Sequence, residues 1–70
     1  MRLSRHARNE MRLYRIDRKD VEATVSEPTD HTPDDRGNQR LSGITVEGRP
    51  ILVVVAQDDP DFVITVFRRS

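Results

Sequence analysis

The run ILVVVA, residues 51–56, is apolar at every position, and this limits the fold more than any other part of the chain. It is too short to span a membrane, and its three consecutive valines favour extended backbone over helix. A strand that is apolar on both sides needs cover on both sides, so it belongs in the middle of a sheet. A second run, FVITVF at 62–67, is nearly as apolar before it meets Arg68 and Arg69. Turn signals fall at EGRP, 47–50, and QDDPD, 57–61. The period of two after Arg40 therefore predicts three strands in a meander.

The residues before Arg40 supply the cover. From residue 3 to about residue 27 the spacing is helical, with a break near Ile16 and Asp17, where Asp17 can cap a second helix that ends before Pro28. The division is a single α+β domain over 1–70: a helical hairpin at 3–27, a polar connector at 28–40 with room for a short edge strand, and a β-meander at 41–69. Two helices cover one face of such a sheet. The other face then exposes either Leu52 and Val54 or Ile51 and Val53, unless something binds it.

Size sharpens that point. A chain of 70 residues with 34% hydrophobic side chains buries only about 60% of its unfolded surface, so almost every apolar residue must enter the core. A homodimer or another protein partner is the expected supplement. The chain has no cysteine, which points to a cytoplasmic location, and no apolar run reaches the roughly 18 residues of a membrane span.

The zero net charge conceals segregation: residues 1–19 carry net +5, residues 20–35 net −6, and the remainder net +1. On the first helix, at about 100° per residue, the apolar arc of Leu13, Leu3, Tyr14, Ala7 and Met11 also contains His6 and Glu10. The opposite side is a stripe of Arg5, Arg8, Arg12 and Arg15. His6 and Glu10, one turn apart, can satisfy each other as a structural pair at the edge of the helix-to-sheet contact, or form an acid–base site in which the carboxylate orients the imidazole. The arginine stripe reads as a solvated face or, with Arg40, Arg68 and Arg69, as a set of phosphate contacts. His6 is far in sequence from Asp30, His31 and Asp34, so only the fold could gather the four, and His31 reads as a solvated loop residue; no metal is expected. No glycine-rich nucleotide fingerprint, P-loop or Ser-His-Asp order is present, and no cofactor is expected.

The segments SRHARNEMRLYRIDRKDVEATVSEP, GRPILVVVAQDD and VITVFR together resemble a small bacterial family of unknown function, DUF4258. The most specific part is the His-Ala pair at His6 and Ala7, followed by Met11, Ile16, Val21, and Glu27 with Pro28. That family is similar to the RelE, ParE and BrnT toxins of toxin-antitoxin systems. The resemblance implies two N-terminal helices on one face of a three- or four-stranded antiparallel sheet, and an antitoxin as partner. It also implies a toxin-like protein acting as a metal-independent ribonuclease. In that reading His6 is acid or base, Glu10 orients it, Arg68 steadies phosphate at the end of the last strand, and Arg12, Arg15 and Arg40 bind substrate. Two features weigh against RNA: the family frequently has arginine where this chain has Glu10, and the net charge is zero. The alternative is a non-catalytic interaction module that uses its exposed sheet face or its basic helix.

Overall fold

A computed structural model describes residues 1–69. The elements in chain order are β1 (Arg2–Leu3), α1 (Arg5–Tyr14), α2 (Arg18–Ser26), β2 (Asp30–Pro33), β3 (Gln39–Ile44), β4 (Pro50–Ala56) and β5 (Asp59–Arg68). They form one five-stranded sheet in the order β1-β5-β4-β3-β2, with β4 in the middle. Strands β2 to β5 are an antiparallel meander, whereas β1 runs parallel to β5 through Arg2 opposite Phe62 and Leu3 opposite Val63.

A five-stranded mixed sheet corrects the expected three- or four-stranded antiparallel sheet of RelE-like type. Both extra strands lack an apolar signal. β1 is two residues long, too short to show any period, and its Leu3 fits the helical spacing that follows it. β2 is exposed at all four residues and is held to β3 by backbone pairing, not by buried side chains.

Ser4 joins the sheet to the first helix. Its amide donates to the Val63 carbonyl at 3.0 Å, continuing the line of β1. Its hydroxyl donates to the Ile64 carbonyl at 2.6 Å and, as N-cap, accepts from the Ala7 amide at 2.9 Å. The helix ends at Arg15, whose left-handed backbone (φ 56°) lets the Ile16 amide bond back to the Met11 carbonyl at 2.8 Å. Arg49 Nη2 donates to the carbonyl of Arg15 at 3.1 Å and so ties this corner to the start of β4. In the first turn of α2, Asp20 Oδ1 accepts from the Val46 amide at 3.1 Å and ties the second helix to the turn between β3 and β4.

Both helices pack on the same face. Ala7 and Met11 of α1, Ile16 of the corner and Val21 of α2 meet Leu41, Ile51, Val53, Val55, Val63 and Val66 of the sheet in one core. Strand β4 thus sends Ile51, Val53 and Val55 inward, and Leu52 and Val54 to the outer face. In β5 the alternation breaks: Val54 lies opposite Thr65 but Val55 lies opposite Val63, leaving Ile64 as the extra residue of a β-bulge.

Gly43 permits the close seating of α2. A Cβ at this position of β3 would overlap the side chain of Thr24, which is itself only 2% exposed. Gly43→Ala is therefore expected to destabilise the domain by about 1–3 kcal/mol through overpacking, seen as a lower melting temperature. An unchanged melting temperature would show that α2 does not sit against Gly43 as described.

Candidate functional site

His6, Glu10 and Tyr14 follow one another at single-turn spacing and line one ridge of α1. The His6 and Glu10 side chains are 62% and 18% exposed, so the pair sits at the boundary of the core with the imidazole in solvent. Nε2 and Oε1 are 3.8 Å apart, a loose ionic contact and longer than a hydrogen bond. At the far end of the ridge the Arg68 guanidinium carbon lies 6.0 Å from the centre of the Tyr14 ring, a cation–π contact on the helix side of the sheet. Tyr14 is thus part of this line, although its spacing alone places it among core residues.

The other expected site residues lie elsewhere. Arg12 is exposed in the last turn of α1, where its charge complements the helix dipole. Arg15 is exposed at the helix C-cap, beside a recess that it lines with Asp17, Glu47 and Arg49. Arg40 faces the opposite side of the sheet: it lies opposite Val54, which lies opposite Thr65, whereas Arg68 lies opposite the core residue Ile51. The structure therefore draws His6, Glu10 and Arg68 along one ridge and leaves Arg40 on the other face. Among the described residues no group of three or more histidine, aspartate or glutamate side chains could hold a metal ion.

The outer face carries a groove of about 430 Å³ that the sequence reading did not anticipate. Its floor is Leu52, Val54, Ile64, Thr65 and Phe67, and its rim is the segment after β2, with Asp34, Asp35, Arg36 and Asn38, together with Arg40. This polar segment is tightly folded. Asp34 Oδ1 accepts from the amides of Arg36 at 2.8 Å and Asn38 at 2.9 Å, and Asn38 Oδ1 accepts from the Gln57 amide at 3.1 Å. Gly37, at φ 84°, supplies the left-handed residue that the turn requires. Among the described residues, Arg36 and Arg40 make no ion pair. Thr65 is only 9% exposed, and its Oγ1 is buried without a hydrogen-bond partner at the floor of the groove. The bulge at Ile64 brings Ile64 and Thr65 together here, and a strict period of two gives no warning of it.

The arrangement is a small α+β domain with one sealed and one open sheet face. The chain belongs to the DUF4258 family, whose model, described as a domain of unknown function, matches residues 3–68. No curated protein and no solved structure matches it. No helix is long and apolar enough to cross a membrane among the described residues.

The exposure of His6 sets an expectation for the pair. His6→Gln should change stability by less than about 0.5 kcal/mol, as for a surface ion pair. A loss of about 1–3 kcal/mol in a denaturant titration would instead reveal a buried, mutually satisfied pair.

Proposed function

We propose that this domain is a non-catalytic interaction module that binds protein through the open face of its sheet. One observation carries the reading. With both helices on one side, half-buried Leu52 and Ile64 and 40% exposed Phe67 form an apolar floor that no helix covers, in a chain that has few apolar residues to spare. Burying a side chain of this size contributes roughly 1.5–3 kcal/mol, so a partner on this face gains from each one it covers. Isolated exposed side chains such as Leu13, 69% exposed on α1, and Val46, 92% exposed, do not form such a patch. A cytoplasmic location is part of this reading, supported by a sequence without cysteine.

A second reading is a toxin-like, metal-independent ribonuclease, with an antitoxin as partner. What favours it is the ridge: His6 beside Glu10, then Tyr14 as a surface on which a base can stack, then Arg68 for phosphate. Against it stand the solvent exposure of His6, the position of Arg40 on the other face, and the zero net charge.

Expression and RNA cleavage separate the two. The interaction module is expected neither to arrest growth nor to cut RNA as wild type, and His6→Gln and Arg68→Ala should behave like the parent. Cleavage by the wild type that His6→Gln abolishes at an unchanged melting temperature, and that Arg68→Ala weakens, would overturn the module in favour of the ribonuclease.

A further inference from the structure

Resting on the reading of the open sheet face as an interaction surface, we propose that its occupant is a second copy of this chain, docked face to face about a twofold axis. A twofold interface sets a patch against itself, so the patch must be self-complementary. The apolar floor of Leu52, Ile64 and Phe67 meets it in character, since apolar surface set against its own copy leaves no charge mismatch. The rim meets it through charge: Arg36 and Arg40, which make no ion pair among the described residues, stand beside the carboxylates of Asp34 and Asp35, so the rim has both signs and sums to zero.

A partner of one sign is poorly matched to this rim. An acidic protein segment or a nucleic-acid backbone would meet Asp34 and Asp35 as well as the arginines, and a basic segment would meet the arginines as well as the carboxylates. A second copy brings the same mixture and can set basic groups against acidic ones. The zero net charge of the chain adds no long-range repulsion between copies. The buried hydroxyl of Thr65 supports an occupant that enters the groove, because it has no hydrogen-bond partner among the described residues.

The test is sedimentation equilibrium of the full chain from micromolar to millimolar concentration, with an apolar fluorescent dye reporting the uncovered face and circular dichroism melts confirming that each variant folds. The wild type is expected to dimerise reversibly and to release dye as it does so. Phe67→Asp should weaken association at least about tenfold, and so should the double variant Arg36→Asp/Arg40→Asp, whose rim is wholly acidic. Mixing that double variant with Asp35→Arg should restore a dimer, because an acidic rim then faces a basic one. A wild type that stays monomeric and binds dye at every concentration, with binding lost in Phe67→Asp, would overturn the second copy as occupant while leaving the face as an interaction surface. A dimer unaffected by Phe67→Asp, or a monomer that binds no dye, would overturn both.

Discussion

Everything in this domain depends on β4 being apolar on both faces while the chain has only enough helix to cover one. Ile51, Val53 and Val55 are sealed beneath α1 and α2 and include the most deeply buried side chains of the sheet. Leu52 and Val54 face the other way, beside the polar segment after β2; Leu52 is half-buried, and Val54, expected to be exposed with it, is only 6% exposed. Among the described residues no further element closes the second face. The sealed side therefore accounts for the fold, and the open side is where an interaction has physical reason to occur.

Polar contacts fix where the apolar layers meet. Ser4 couples the end of β1 to the bulge in β5 and starts α1, Arg49 holds the corner after that helix, and Asp20 holds the turn before β4. Each satisfies backbone groups left over at a helix end or a turn while it sets the height of a helix over the sheet. Gly43 then decides how closely α2 approaches, since Thr24 occupies the space that a side chain there would need. The Asp34 and Asn38 side chains play the same part on the outer face, where they curl the connector into the rim of a groove.

How much of this is legible in the sequence depends on whether an element has side-chain periodicity. The central strand is legible because six adjacent apolar residues cannot be half-exposed; Asp17 stands at the N-cap position of α2, although its side chain makes no capping hydrogen bond. The open face with Leu52 and Val54 was one of the two alternatives that an apolar central strand leaves. β2 falls within the connector, where a short edge strand had room, but its bounds are not legible because it is held only through its backbone; β1, the other edge and the parallel one, is too short to have a period. The candidate site suffers most from a single residue. Counting alternately from Val63 puts Arg68 on the outer face, the same side as Arg40. The extra residue Ile64 flips everything after it, so that Val66 and Arg68 point to the helices instead. The same flip brings Thr65 and Phe67 into the groove beside Ile64, which is why it could not be assembled from sequence spacing.

The central claim is that one face of the sheet is sealed by the helices and the other is open in the isolated chain. Methyl relaxation by a soluble paramagnetic agent, measured by nuclear magnetic resonance on dilute protein, tests it most directly. The account predicts strong relaxation of the Leu52 and Ile64 methyl groups, with Ile51, Val53 and Val66 protected. Leu52 and Ile64 protected to the same degree as Ile51 would contradict it, as would relaxation of Val53 as strong as that of Leu52.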